Sequence, residues 1–242
     1  SSKGGQWAAW GLTDETLWAV NPALVIAHIS GYGQTGLESY ISRASFDPIA
    51  QAFSGIAYAN GDDNTPFFPI ADNVLDYYTA LFASTSCLSA YIRACRTGKG
   101  ESLDIAQYEC GLRTLCQYML QDIMEHNPER RSFWIAADLV AGTGNYKCKE
   151  GSLFIMSTGA AVAKRMATLL GFDYGSESFP ACGYAIYRAT EQGKQLEAAL
   201  LEMCAQHTAA EMDHILNENR IPCSQVITYQ DMLTNEQYIA RD

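Results

Sequence analysis

Residues 22–31, PALVIAHISG, form a short apolar run with several β-branched side chains that ends at a glycine. Such a run is typical of a buried strand in a parallel sheet, and the glycine-rich turn SGYGQTG follows it directly. A second strand-like segment, ESLDIA at 101–106, comes only after a long stretch of helical periodicity. Strands that alternate with helices predict an α/β fold, here a Rossmann-like segment with a parallel sheet.

The helices predicted around these strands have recognisable ends. Asp47-Pro48 reads as an N-cap followed by proline at the first helical position, opening a helix through Phe53. Apolar residues recur at helical spacing from Asn73 to Arg96, and Thr97-Gly98 supplies a stop. A further helix is predicted over 107–125.

The periodic pattern breaks at HNPERRSFW, residues 126–134, where the composition becomes polar. Beyond it, Lys149-Glu150-Gly151 predicts a hairpin turn between NYKC and SLFIM. Helices are then predicted at about 160–170, 189–206 and 208–219, followed by a strand, CSQVIT, and a short terminal helix. We therefore predict a large α/β segment at 1–125, a linker at 126–140, a small α+β domain at 141–225 and a return towards the large domain at 226–242.

Composition excludes some classes of function. The net charge of -11 argues against nucleic acid as a partner, because phosphate binding requires a basic surface. The sequence contains no apolar run long enough to span a membrane, and SSKGGQWAAWGL has no signal-peptide pattern, so we expect a cytoplasmic protein. Eight scattered cysteines without C-x-x-C spacing are interpreted as reduced core residues, and no metal site is expected: Cys87, Cys95, Cys110, Cys116, Cys148, Cys182, Cys204 and Cys223.

Asp72 allows two interpretations. It stands in NTPFFPIADNVLDYY, between an apolar approach and the long helical pattern. Aspartate is favoured at helix N-caps, so a structural role is the simpler interpretation. A carboxylate at a helix N-terminus is also kept ionised by the helix dipole, as a nucleophile must be, so the two roles are compatible.

Other single features carry weak signals. The glycine-rich turn at 31–36 lacks the spacing of a dinucleotide fingerprint. His28, on the apolar strand, is interpreted as a core histidine with a hydrogen-bond partner rather than as a base.

Taken in order, several segments resemble the class III CoA-transferase family across nearly the whole chain: LVIAHISGYGQTG, IAQAFSG, NGD, ADN before a long helix, and RTGKGESLDIAQYE. Within that family the likeness is greatest to the bacterial enzymes that act on L-carnitine, through GLTDETLW, NPALVIAHISG and TGKGESLDIA. The resemblance implies CoA transfer between a betainyl-CoA (crotonobetainyl-CoA or γ-butyrobetainyl-CoA) and L-carnitine.

The resemblance also assigns roles to residues. It implies that Asp72 is the nucleophile, passing through a mixed anhydride and an aspartyl-CoA thioester, with CoA thioesters as substrates and no permanently bound cofactor. Lys3 matches a lysine that contacts CoA phosphates, and Gly142-Thr143-Gly144 resembles a mobile glycine loop that closes over the site. Tyr32 and Phe46 are predicted to contribute to the substrate site. The resemblance further implies an interlocked homodimer.

Two positions depart from the family pattern. Trp10 replaces an arginine that contacts CoA in the carnitine enzymes, and Phe46 replaces a tyrosine. The related acyl-CoA racemases have histidine at the Phe46 position, and because phenylalanine cannot transfer a proton, racemase activity is the weaker alternative.

Two further alternatives stay open. One is CoA transfer to a different carboxylic acid. The other follows from the family's additional N-terminal and C-terminal segments, which lead us to expect that this chain is an incomplete portion, inactive as it stands.

Overall fold

The computed structural model describes residues 2–60, 66–115 and 139–241. The chain divides into two compact units, Ser1–Phe133 and Trp134–Asp242. Within residues 2–60 and 66–115, the first unit has its elements in the order α1 Gln6–Ala9, α2 Asp14–Val20, β1 Ile26–Ser30, α3 Glu38–Ile41, α4 Asp47–Ser54, α5 Ile56–Ala59, α6 Val74–Thr97, β2 Ser102–Ala106 and α7 Gln107–Thr114.

The two strands of the first unit are parallel. Ile26 of β1 is paired with Ser102 of β2, and the register continues to Ser30 opposite Ala106. The chain between them includes the 24-residue helix α6, as expected for a crossover between parallel strands. The predicted α/β class is confirmed.

A small core forms where α4, α6 and α7 pack against this sheet. Leu75 at the start of α6 is fully buried, and Ala50, Ile56, Ala83, Ile105 and Cys110 pack in the same cluster. Leu75 belongs to the first turn of α6. This core therefore holds the N-terminal end of α6, which follows Asp72 in the chain.

The second unit is α+β. Its elements are β3 Gly144–Lys147, β4 Ser152–Ile155, α8 Ala160–Leu169, α9 Glu191–Gln206, α10 Ala209–Glu218, β5 Cys223–Gln225, α11 Tyr229–Met232 and α12 Glu236–Arg241. The three strands form an antiparallel sheet in the order β3-β4-β5. The hairpin predicted around Lys149-Glu150-Gly151 is confirmed, and α10 begins with a capping box formed by Thr208 and Glu211.

The core of the second unit lies between its sheet and helices α8, α9 and α10. Its fully buried side chains come from each of these elements: Leu153, Ile155, Met166, Leu196, Leu200, Met212 and Leu216. Within residues 2–60, 66–115 and 139–241, none of the helices has both the length and the apolar character of a membrane span.

Several sequence predictions need correction or fall outside these ranges. Cys95 is exposed rather than part of a core. The last part of the helix predicted over 107–125, most of the linker predicted at 126–140, and Cys116 lie outside the described residues.

Candidate active site

Asp72 does not cap α6. The N-cap of this helix is Asn73, and Asp72 precedes it with φ 70°, a left-handed conformation that side chains other than glycine seldom adopt. Its carboxylate is exposed, and Oδ1 accepts a hydrogen bond of 2.8 Å from the backbone N–H of Asn73. The prediction that Asp72 is the N-cap is therefore wrong, and a structural cap no longer accounts for its position.

The capping role belongs instead to Asp47. Oδ2 of Asp47 accepts hydrogen bonds from the backbone N–H groups of Leu75 (2.6 Å) and Asp76 (2.9 Å) in the first turn of α6. Asp47 was predicted to cap its own helix, but the N-cap of α4 is Phe46 and Pro48 follows within the first turn. The side chain of Asp47 therefore caps α6 and makes no capping hydrogen bond to its own helix, α4.

A cavity of about 500 Å³ opens at the carboxyl ends of the two parallel strands. Ser30 and Gly31 at the end of β1 line it, as does Gln107 immediately after β2. Ligands of open parallel sheets bind at this edge, because loops and helix N-termini converge there. The cavity is therefore placed where a substrate site is expected.

The lining of the cavity contains groups suited to an anionic ligand. Lys3 and Arg43 contribute cationic side chains, and Ser45 contributes a hydroxyl. Phe46, which is 75% exposed, provides an aromatic face. Of the sequence-predicted residues, the structure thus places Lys3 and Phe46 at one cavity, while Arg43 is an addition that sequence reasoning missed.

One carboxylate also faces this cavity. Asp76, in the first turn of α6, accepts a hydrogen bond at Oδ1 from the side-chain amide of Gln107. Ser45 Oγ donates to Gln107 Oε1 at 3.4 Å, which links Ser45 through Gln107 to Asp76. Asp72 is not among the described residues that line the cavity, although it lies one turn before Asp76 in the chain.

Tyr32 lies in an aromatic cluster, made of Tyr32, Tyr40, Phe53 and Tyr108, beside the end of β1. Its ring centroid lies 5.0 Å from that of Phe53 and 5.8 Å from that of Tyr40. Arg43 stacks on the outside of this cluster, with its guanidinium carbon 4.0 Å from the centroid of Tyr40. The rings pack against one another, so Tyr32 supports the Arg43 side of the cavity.

His28 has the partner that was predicted for it. Its Nε2 lies 2.8 Å from Oδ1 of Asp14, and both side chains are partly buried. The pair belongs to a second, smaller cavity that includes Trp7, Gln34 and Asp104 among its lining residues.

In the second unit, Gly142, Thr143 and Gly144 are buried. Gly142 has φ 75°, and its backbone N–H donates a hydrogen bond of 2.7 Å to Oε1 of Glu197 on α9. Thr143 Oγ1 accepts a hydrogen bond of 2.9 Å from the backbone N–H of Ser157. This structure therefore holds the loop in place, and any movement would have to break these bonds.

Glu197 is the centre of a hydrogen-bonded network around this loop. Its Oε1 also accepts from the Tyr146 hydroxyl at 2.9 Å and lies 3.0 Å from an Arg188 guanidinium nitrogen. The same nitrogen of Arg188 donates to the backbone carbonyl of Thr143 at 2.9 Å. Burial of Tyr146, reinforced by the negative charge of Glu197, raises the pKa of its hydroxyl well above the usual value, so the phenol remains a donor at neutral pH.

The sequence matches the family model for CoA-transferase family III over residues 1–242. The chain belongs to this family, and the resemblance stated from its motifs is confirmed.

Relatives add detail to this assignment. The chain is 37% identical over 256 aligned residues to the bile acid CoA-transferase BaiK of Clostridium scindens, and the match covers 100% of this chain and 56% of BaiK. Among solved structures, a CAIB/BAIF family protein from Brucella suis is 26% identical with a TM-score of 0.74, over 98% of this chain and 61% of that protein. Rv3272 of Mycobacterium tuberculosis, at 18% identity, shares the fold with a TM-score of 0.80 over 100% of this chain and 63% of that protein. The chain thus spans little more than half the length of BaiK.

Proposed function

We propose that the protein transfers CoA between carboxylic acids and that Asp72 carries the covalent intermediates. The observation that supports this most is the conformation of Asp72: an exposed carboxylate is held at φ 70° immediately before a long helix. Few residues other than glycine adopt this region, aspartate is among those that tolerate it, and such positions recur at active sites. Asp72 also matches the nucleophile of the family in its sequence context.

The proposed chemistry proceeds by four exchanges. A carboxylate oxygen of Asp72 attacks the acyl carbon of the donor thioester, the C–S bond breaks, and CoA leaves as thiolate, giving a mixed anhydride. The thiolate then attacks the side-chain carbon of Asp72 and releases the donor acid, which leaves an aspartyl-CoA thioester. The acceptor carboxylate repeats the two steps in reverse, so that the new acyl-CoA departs and Asp72 is regenerated.

Lys3 and Arg43 are proposed to bind the phosphates of CoA. Both line the cavity at the carboxyl edge of the sheet, and phosphate is recognised by ammonium and guanidinium groups. Trp10 replaces a CoA-contacting arginine of the carnitine enzymes and has no charge with which to bind a phosphate. We propose that Arg43 supplies the missing positive charge. The pantetheine arm would extend from this cavity towards Asp72.

The proposed intermediate is directly observable. The protein is incubated with an acyl-CoA, quenched in acid and digested, and the peptide containing Asp72 is examined by mass spectrometry. We expect a CoA thioester on this peptide, or a hydroxamate at Asp72 after hydroxylamine is added. Turnover with unmodified Asp72 and an adduct on another residue would exclude the mechanism.

For the acid pair we propose a betainyl-CoA as donor and L-carnitine as acceptor, in accordance with the resemblance of the sequence motifs. The name of BaiK supplies a second candidate, a bile acid. The two differ in chemistry, because a quaternary ammonium is attracted to the faces of aromatic rings, whereas a steroid requires only a large apolar surface. Exposed rings at Phe46, Phe68 and Tyr77 are available for either acid.

Replacement of each exposed ring by leucine tests whether the rings recognise a quaternary ammonium. A cation–π contact contributes roughly 0.5 to 2 kcal/mol, so the loss of two rings should reduce the specificity constant for carnitine by about 10- to 100-fold. Leucine keeps the apolar surface, and an uncharged acid of similar length should be affected much less. The same comparison applies to Tyr32, whereas Trp134 lies outside the described residues. Equal losses for both acids at every position would show that the rings serve only in packing.

We further propose that the protein is a homodimer, interlocked as the family resemblance implies. Beyond Tyr77, four large apolar side chains of α6 are more than half exposed: Leu81, Leu88, Tyr91 and Ile92. At 100° per residue they lie within an arc of about 100°, so they form one apolar stripe along the helix. Apolar patches of this kind on a stable protein are usually covered by a partner, here a second copy.

Analytical ultracentrifugation of the purified protein should show a dimer at micromolar concentration. An interlocked interface should bury well above the standard area of about 1,600 Å². A monomer that remains stable under these conditions would contradict the proposal.

A further inference from the structure

The segment around Asp72 is attached to α4 by two buried side chains. Asp47 is 2% exposed and Gln51 is fully buried, although both are polar. They lie one turn apart on α4, and the side-chain amide of Gln51 donates a hydrogen bond to Oδ1 of Asp47. The two side chains therefore act as one unit.

This unit holds the Asp72 segment on both sides. Before Asp72, Gln51 Oε1 accepts a hydrogen bond of 2.8 Å from the backbone N–H of Ile70, and Gln51 Nε2 lies 3.3 Å from the carbonyl oxygen of Ile70. After Asp72, Asp47 Oδ2 accepts from the N–H groups of Leu75 and Asp76. Asp72 thus stands between two attachment points that α4 provides.

The burial of Asp47 is costly unless its negative charge is compensated. The compensation comes from two N–H groups at the positive end of the dipole of α6 and from the amide of Gln51. A carboxylate that served only α4 would bond to the first N–H groups of its own helix, whereas this one bonds to residues 28 and 29 positions further along the chain. The arrangement therefore fixes the entry to α6 rather than the start of α4.

We propose that Asp47 and Gln51 are positioning residues that hold Asp72 in its left-handed conformation for attack on the thioester. The inference rests on the proposed function of Asp72. In the step concerned, an Asp72 oxygen forms a bond to the acyl carbon while the C–S bond breaks and CoA leaves as thiolate. Such a reaction depends on approach geometry, and a displacement of about 1 Å can reduce the rate by on the order of 100-fold.

Asp47→Asn tests the proposal. Asparagine has a single side-chain oxygen, so it can accept hydrogen bonds either from Gln51 or from the N–H groups of α6, but not from both. Its NH₂ group then faces whichever donors the oxygen does not serve. We expect the rate of formation of the covalent adduct at Asp72 to fall by at least about tenfold, while KM for the acyl-CoA changes less than about twofold. Hydrogen exchange of the peptide that spans residues 70–76 should increase in the same variant.

Thr208→Ala is the matched control. Thr208 caps α10 in the second unit, where its hydroxyl accepts from the N–H of Glu211, so its loss weakens a helix N-terminus without affecting the Asp72 segment. Both variants are assayed well below their unfolding temperatures, with circular dichroism to verify folding. The control should form the adduct at the unsubstituted rate.

Gln51→Leu gives a second arm of the test if Asp47→Asn does not fold. It keeps the carboxylate of Asp47 at α6 but removes both bonds to Ile70 and the bond to Asp47 Oδ1, and we expect adduct formation to fall by about threefold or more. Adduct formation at the unsubstituted rate in a folded Asp47→Asn or Gln51→Leu variant would overturn this inference but not the proposed function of Asp72. Absence of any adduct in the unsubstituted protein would instead overturn the proposed function.

Discussion

The Asp72→Asn variant is expected to lose CoA transfer by on the order of 1,000-fold or more, because an amide is a far weaker nucleophile than a carboxylate and cannot form the mixed anhydride. The fold should remain intact for a structural reason. Asparagine, like aspartate, tolerates the left-handed conformation observed at this position, and its side-chain oxygen can still accept from the N–H of Asn73. We therefore expect the free energy of unfolding to change by no more than about 0.5 kcal/mol.

The measurement is the initial rate of CoA transfer, together with the mass of the Asp72 peptide and a thermal unfolding curve. Asp173→Asn is the matched control, since it removes one negative charge from an exposed aspartate in the second unit. That variant should transfer CoA at the unsubstituted rate. Turnover by Asp72→Asn close to that of the control would remove Asp72 from the mechanism.

Elements with strong local signals were predictable from the sequence. The apolar strand before the glycine-rich turn, the long helix ending at Gly98, and the hairpin turning at Gly151 all occur as predicted. The patterns that mark these elements are local in sequence, and so is the capping box that Thr208 and Glu211 form at the start of α10. Local hydrogen bonds and hydrophobic periodicity are sufficient to specify these elements.

The contacts that organise the candidate site could not be predicted in the same way. Asp47-Pro48 has the pattern of a helix start, and the pattern does not reveal that the carboxylate bonds to a helix 28 residues away. Likewise, Arg43 joins Lys3 at one cavity only because the end of β1, the segment 43–46 and the start of α6 meet there. A buried polar side chain on a helix with partners distant in sequence is a tertiary feature, and periodicity carries no information about its partner.

The Glu197→Ala variant should lower the free energy of unfolding of the second unit by about 3 kcal/mol. Three donors converge on Oε1 of Glu197: the N–H of Gly142, the hydroxyl of Tyr146 and the guanidinium of Arg188. Gly142 and Tyr146 are buried, so their donors would lose their partner without full access to water. The side chain of Arg188 is 38% exposed and can be hydrated again, which keeps the effect below that of a completely buried ion pair.

Comparison of variants separates charge from hydrogen bonding. Glu197→Gln keeps an oxygen that can accept from Gly142 and Tyr146, and we expect it to lose only about 1 kcal/mol. Glu202→Ala removes an exposed glutamate from the same helix and should change the free energy of unfolding by less than about 0.5 kcal/mol. Chemical denaturation, followed by circular dichroism, measures all three variants.

We propose that the Glu197 network limits the movement of the Gly142-Thr143-Gly144 loop. If the loop is held mainly by Glu197, hydrogen exchange of the amides at 142–146 should increase in Glu197→Ala far more than in Glu202→Ala. Movement of the loop would then require the protein to break a defined set of hydrogen bonds. Unchanged exchange at 142–146 would show that the core packing around Tyr146 and Leu196 holds the loop without Glu197, and the loop would then be a fixed wall of the second unit.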